Sequence, residues 1–168
     1  MESTVLLFGS NTGDSERIIR EAARLIQEFA EADFVVSSLY LSEPWGFNTQ
    51  EWFLNTAVSF RSSQQPTFIL KRALEIEREF GRCRNKDSGE RYESRTLDID
   101  LIFFGDSVCK TDLLTLPHPR MHLRRFVLTP LCDIIPHYIH PLFNKSVLDL
   151  LRECPDISKV DLYKNGWL

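Results

Sequence analysis

Closely spaced cysteines are missing from this chain. Cys83, Cys109, Cys132 and Cys154 are its only thiols, and no two form a C-x-x-C pair. That spacing argues against a zinc site or a disulfide frame, so reduced thiols in a cytoplasmic protein are expected. No apolar run approaches membrane-spanning length. Met1 to Phe8 has no basic start and too short an apolar stretch for a secretory leader. A large excess of one charge sign is also absent: a net charge of -4 calls for neither nucleic acid nor an anionic membrane as partner. The chain has no Gly-x-Ser-x-Gly elbow and no kinase His-Arg-Asp loop, so chemistry by a protein nucleophile is not indicated. Gly9-Ser10-Asn11 precedes a helical stretch but lacks both the dinucleotide fingerprint and the Walker lysine, and reads as a structural turn. There is no repeat, linker or low-complexity segment. The 168 residues are enough for one sizeable core, so a single domain over 1–168 is expected.

What is present is the patterning of a folded globule. Val5 to Phe8 reads as a buried strand and 9–14 as a turn. Asp14 or Ser15 caps a helix whose apolar stripe is Ile18, Ala22, Leu25, Ile26 and Phe29. Phe34 to Leu41 reads as one strand and Phe53 to Phe60 as the next. Side chains alternate along the latter, so Leu54, Val58 and Phe60 face one way and Phe53, Asn55 and Ala57 the other. Pro66-Thr67 opens a second helix with Ile69, Ala73, Ile76 and Phe80 inward, Glu77 beside that stripe and Gly81 as its stop. A charged loop, Arg82 to Arg95, leads into an apolar strand from Thr96 to Phe104. A short strand near Val108 and short helices over Arg124 to Leu131 and Ser146 to Arg152 follow, and the last residues carry no clear signal. Strand, helix, strand, strand, helix, strand predicts an α+β sandwich of the ferredoxin-like kind, a mostly antiparallel sheet with helices packed on it. The sheet's other face then needs a further cover or a ligand.

The chemistry concentrates in Arg95-Thr96-Leu97-Asp98-Ile99-Asp100. In a strand, Leu97, Ile99, Leu101 and Phe103 share one face. Asp98 and Asp100 share the other, their Cα atoms roughly 6.5–7 Å apart. Two carboxylates on one rigid face suit Mg²⁺, which takes one or two carboxylates together with phosphates and water. A solvated outer face or pairing to arginine is the alternative, and spacing leaves both open. Five cations, Arg82, Arg84, Lys86, Arg91 and Arg95, precede the pair. Guanidinium groups match phosphate oxygens, yet Asp87, Glu90 and Glu93 also make this an ordinary balanced loop. Phe53 and Asn55 on one strand face could stack and read a flat heterocycle, or be core and loop cap. His118, between two prolines and near Arg120 and Arg124, could reach a phosphate or simply sit at the surface.

Taken in order along the chain, these motifs resemble the 6-hydroxymethyl-7,8-dihydropterin pyrophosphokinases. Phe8-Gly9-Ser10-Asn11, Ser38 to Gly46, Phe53-Leu54-Asn55-Thr56-Ala57-Val58, Ile76-Glu77 with Gly81-Arg82, the Arg95–Asp100 run and Leu116-Pro117-His118 carry the likeness. The resemblance implies an enzyme of folate synthesis that moves diphosphate from ATP onto the pterin hydroxymethyl group. It implies two Mg²⁺ ions at Asp98 and Asp100, with Arg82 and Arg95 as catalytic cations. ATP contacts are implied at Glu77, Arg84, Tyr92, Leu114, Thr115, His118 and Arg124. Phe53 and Phe126 are implied to sandwich the pterin, whose edge Ser42, Trp45 and Asn55 would read. Tyr92 and Glu93 stand where the family more often has a tryptophan and a small residue. A cytoplasmic monomer that uses ATP and the dihydropterin, without nucleic acid or membrane, is the expectation. An RNA platform is a poor fit, because the aspartate pair would repel phosphate without a metal. A phosphatase or nuclease with two metals leaves Phe53 and Asn55 unexplained.

Overall fold

The computed structural model describes residues 1–44, 51–81 and 96–168. Its elements run β1 (Glu2–Ser10), α1 (Ser15–Gln27), β2 (Ala32–Val36), β3 (Leu39–Ser42), β4 (Phe53–Ser62), α2 (Pro66–Glu79) and β5 (Asp98–Phe104). A hairpin follows, β6 (Cys109–Lys110) and β7 (Thr115–Leu116), then a 3-10 turn at Met121–Leu123, α3 (Arg125–Ile134), α4 (Val147–Arg152) and β8 (Val160–Lys164). The sheet order is β5-β1-β4-β3-β8, with β2 beside β4 beyond the end of β3, and these pairings are antiparallel. The α+β sandwich expected from the element order is the fold observed.

Period-two alternation sorts the strands into two cores. Leu6, Phe8, Val58, Phe60, Ile99 and Leu101 point to one face, where Ile19 and Ile26 of α1 and Ile69 and Ile76 of α2 cover them. Val5, Leu7 and Ala57 point to the other, where Leu128 and Leu131 of α3 and Val147 of α4 close it. Each such Val, Leu, Ile or Phe side chain, fully buried, contributes about 1.5–3 kcal/mol. The second face thus obtains its cover from α3 and α4. Helix starts follow the sequence signals: the Asp14 carboxylate accepts from Arg17 N–H (3.1 Å), Pro66 opens α2, and the Ser146 hydroxyl accepts from Asp149 N–H (3.1 Å). Gly81, at φ 87°, stands just beyond α2 in the left-handed region that glycine enters without strain.

Three local expectations are corrected, and the C-terminal residues, which carried no clear signal, acquire a structure. The strand expected over Phe34–Leu41 is two, because Ser37 interrupts the ladder: its N–H donates to Ala57 C=O, while its hydroxyl accepts from Ala57 N–H, both at 2.9 Å. Phe103 does not share the face of Ile99. Val5 pairs with Phe103 and Leu6 with Leu101, so Ile102 is an extra, bulged residue, and Ile102 and Phe103 both enter the second core. Gly9 and Ser10 are strand, not turn. The final residues form β8 and bury Trp167, whose indole N–H donates to Ser37 C=O at 2.8 Å.

Candidate active site

β5 is an edge strand of the six-stranded sheet and carries Asp98 and Asp100, both half-buried. Between them, Ile99 N–H donates outward to Glu77 Oε1 at 2.9 Å. Glu77 is 1% exposed, so the last turn of α2 delivers a carboxylate to the backbone of the strand that carries the aspartates. Further along the same edge, His118 N–H donates to Ile102 C=O at 3.0 Å. Asp98 and Asp100 are hard oxygen donors on one face of a strand held on both edges. Among the described residues no third His, Cys, Asp or Glu joins them in a cluster. Such a donor set fits Mg²⁺, which commonly completes its shell with phosphate and water.

The chain that follows β7 brings positive charge to His118, which also feels Asp98. Burial first, then the guanidinium charges of Arg124 and Arg120, push the His118 pKa down to about 4, while Asp98 opposes the shift. His118 is therefore neutral at pH 7. Its Nδ1 accepts from Arg120 N–H at 3.4 Å, which leaves Nε2 to carry the proton. Arg124 is 7% exposed, with its guanidinium carbon 5.8 Å from the Phe126 ring centroid. Leu114 and Thr115, both half-buried, belong to the β6–β7 hairpin, which packs on β5.

The pterin candidates lie across the sheet from the aspartates. Asn55, 2% exposed, donates through Nδ2 to the Ser42 hydroxyl at 2.8 Å and to Phe53 C=O at 3.3 Å. With both bonds made, its carboxamide plane is fixed. Phe126 sits in the first turn of α3, packed against the second core. Phe53, half-buried, starts β4. Trp45, Arg82, Arg84, Tyr92 and Arg95 lie outside the described residues.

A residue that sequence reasoning passed over joins the two halves. Gly9 pairs with Asn55 on one side and with Asp98 on the other. A Cβ built on it would meet Asn55 Oδ1 at 3.3 Å, so the missing side chain belongs on the face that carries Asn55. Asn55, Gly9 and Asp98 form one row, about 10 Å long at two strand spacings. An isolated glycine within a strand marks a close approach, a signal that was available once β1 was extended past Phe8. Tyr40 continues the row beyond Asn55, its hydroxyl bonded to the Asp133 carboxylate at 2.8 Å. Burial, then that carboxylate, raises the Tyr40 pKa to about 12, so it stays a neutral phenol.

Comparison with known proteins bears on the whole arrangement. Residues 5–136 match the family described as 7,8-dihydro-6-hydroxymethylpterin-pyrophosphokinase (HPPK). A protein of Aquifex aeolicus named 2-amino-4-hydroxy-6-hydroxymethyldihydropteridine pyrophosphokinase is 35% identical over 153 residues, 91% of this chain and 92% of its own. One of the same name from Bacillus subtilis is 39% identical over 130 residues, 77% of this chain and 75% of its own. Among solved structures, Plasmodium falciparum HPPK-DHPS with pteroate superimposes with a TM-score of 0.71 at 14% identity. That match covers 90% of this chain, which spans 44% of the Plasmodium chain.

Proposed function

The chain belongs to the 7,8-dihydro-6-hydroxymethylpterin-pyrophosphokinase family, and from that premise we infer that it transfers diphosphate from ATP to the hydroxymethyl group of 6-hydroxymethyl-7,8-dihydropterin, releasing AMP, in folate biosynthesis. The single observation that carries the site assignment is the row Asn55–Gly9–Asp98. It offers a fixed amide at one end, a side-chain-free strip in the middle and a carboxylate at the other. A bicyclic pterin lying along it would present its ring edge to Asn55 and Ser42 and its hydroxymethyl arm to the Asp98 end. Phe53 and Phe126 would hold the ring from either side, and Trp45 would add to the edge contacts.

The hydroxymethyl oxygen attacks the β-phosphorus. A new O–P bond forms, the bond from that phosphorus to the oxygen bridging the α and β positions breaks, and AMP leaves with that oxygen while the hydroxyl proton is lost. Asp98 and Asp100 would hold two Mg²⁺ ions, which supply charge neutralisation on the phosphates when bound. The remainder belongs to this chain's own groups. Arg82 and Arg95 would oppose the charge that develops on the transferred group, as preorganised cations do in a site shielded from water. Neutral His118, with Arg84, Tyr92 and Arg124, would fix the nucleotide, and Leu114 and Thr115 would border it. Glu77, bonded to Ile99 N–H, would act at that end of the site. Positioning and electrostatics suffice for phosphoryl transfer, so no side-chain base is assigned. On this reading residues 1–168 act as one domain, as a monomer, in the cytoplasm. Incubated with ATP, Mg²⁺ and the dihydropterin, the protein should release AMP in step with diphosphorylated pterin. Release of ADP or inorganic phosphate instead would replace this reading with ordinary kinase or hydrolase chemistry.

A further inference from the structure

The segment after α4 touches both proposed walls of the pterin site. At one end Asp156 Oδ2 accepts from Arg125 N–H at 2.9 Å, at the first residue of α3 and one before Phe126. No side chain of the helix's own N-cap residue, Arg124, does this. The other carboxylate oxygen accepts from Ser158 N–H (2.9 Å) and the Ser158 hydroxyl, which fixes the carboxylate's orientation. At the other end Lys159 and Glu43 exchange bonds. Glu43 N–H donates to Lys159 C=O at 3.1 Å, and Lys159 N–H donates to Glu43 Oε2 at 2.8 Å. The Lys159 ammonium lies 5.7 Å from the Trp52 ring centroid, one residue before Phe53. β8 then pairs with β3, Val160 opposite Ser42. Within the five residues 156–160 the chain thus runs from the start of the helix bearing Phe126 to the strand end bearing Ser42.

We propose that Asp156 is a positioning residue for the pterin site: it fastens the first turn of α3, and with it Phe126, to the β3 edge through the strap 156–160. The segment lies beyond residues 5–136, the stretch that matches the family. An ionised carboxylate at a helix start also complements the free N–H groups and the positive end of the dipole there. Burial raises the Asp156 pKa, but bonds from the Ser158 hydroxyl and N–H and from Arg125 N–H outweigh it, so the net shift is downward. Released from Asp156, the first turn of α3 would fray, and Phe126 would lose its fixed height over the sheet. The aspartate pair sits on β5, at the far side of the sheet from β3, and would be unaffected.

The proposal rests on the assignment of Phe126 to the pterin, so the test includes that residue. Asp156→Ala, Phe126→Ala and the double variant are compared with the unaltered protein for pterin affinity of the nucleotide-bound enzyme, ATP-analogue affinity and melting temperature. Loss of a capping acceptor should weaken pterin binding by about tenfold, and should weaken ATP-analogue binding by less, since Arg124 beside the lost bond is only one of several nucleotide contacts. Because Asp156 acts through Phe126, its effect on pterin should largely vanish in the Phe126→Ala background. Should Asp156→Ala fail to fold, Ser158→Ala, which removes one of the two bonds orienting the carboxylate, should give a smaller change of the same kind. A lower melting temperature with unchanged pterin affinity, or additive effects in the double variant, would overturn the positioning role. If Phe126→Ala itself leaves pterin binding intact, the pterin assignment fails, and the strap's role falls with it.

Discussion

Gly9→Ala separates the chemistry of the site from the stability of the fold. The backbone at Gly9 is not in the left-handed region, so alanine is conformationally admissible there. The new methyl carbon would stand 3.3 Å from Asn55 Oδ1, a few tenths of an ångström too close. Asn55 can yield only by stretching its bonds to the Ser42 hydroxyl (2.8 Å) and Phe53 C=O (3.3 Å). Against that strain, replacing glycine at a compatible position stabilises by about 0.4–1 kcal/mol through the unfolded chain. The net change in stability should stay within about 1 kcal/mol, or about 2–4 °C in Tm at this chain length. Pterin binding has no such compensation. A methyl in the middle of the row would lift a ring bound there and displace the amide proposed to read its edge. Two impaired hydrogen bonds at about 0.5–1.5 kcal/mol each amount to about 1–3 kcal/mol, or roughly 5–150-fold in affinity. Calorimetric titration of the nucleotide-bound variant with 6-hydroxymethyl-7,8-dihydropterin, beside a thermal melt, reads both quantities. Unchanged pterin affinity would refute the row as the pterin's resting place. An equal loss of ATP-analogue affinity would mean that the methyl disturbs β1 as a whole.

Asp100→Ala should reduce Mg²⁺-dependent AMP release by at least about a thousandfold while the fold survives; normal turnover would remove the metal role from β5. Glu77→Ala leaves Ile99 N–H without its acceptor and should cost about 1–3 kcal/mol, whereas Glu77→Gln, which keeps an amide oxygen there, should melt closer to the unaltered protein. Equal melting temperatures for the two would contradict that bond's role. His140 is 2% exposed, and burial, then the charge of His122, lowers its pKa to about 4. The folded protein therefore keeps it neutral while the unfolded chain protonates it near its ordinary value of about 6.5. Its contribution to stability is full above pH about 6.5 and falls by about 1.4 kcal/mol per pH unit down to pH about 4. Urea midpoints measured across that range should show a shallower acid slope for His140→Asn, and parallel slopes would rule this out.

Features decided within a few residues were legible in the sequence. Asp14 and Pro66 announced their helices because capping and N1 chemistry are local. Asp98 and Asp100 were legible as a pair because alternation in a strand needs no partner to be read. Features decided by contact between distant segments were not. Ser37 breaks a strand by exchanging bonds with Ala57, 20 residues away, and nothing in Phe34–Leu41 itself foretells it. The Ile102 bulge arises from register against β1. β8 is only five residues long and mostly exposed, and becomes a strand because β3 offers it an edge and Ser37 offers Trp167 an acceptor. At the site, Phe53 and Asn55 were readable as neighbours on a face. That Gly9 lies between Asn55 and Asp98 needed the registers of two strand pairs at once.

An edge strand invites a second molecule. Its outward N–H and C=O groups form a template on which another extended chain can add, the usual first step toward strand-to-strand aggregation. Here the strand at that edge also carries the two acidic side chains assigned to the proposed chemistry, which at the centre of the sheet would lose their opening. The protein keeps it at the edge and occupies its template points from within. Glu77 takes the Ile99 donor, and His118 supplies the donor for Ile102 C=O. A change that frees either point would then act twice, loosening the strand for its substrates and exposing it to its own kind.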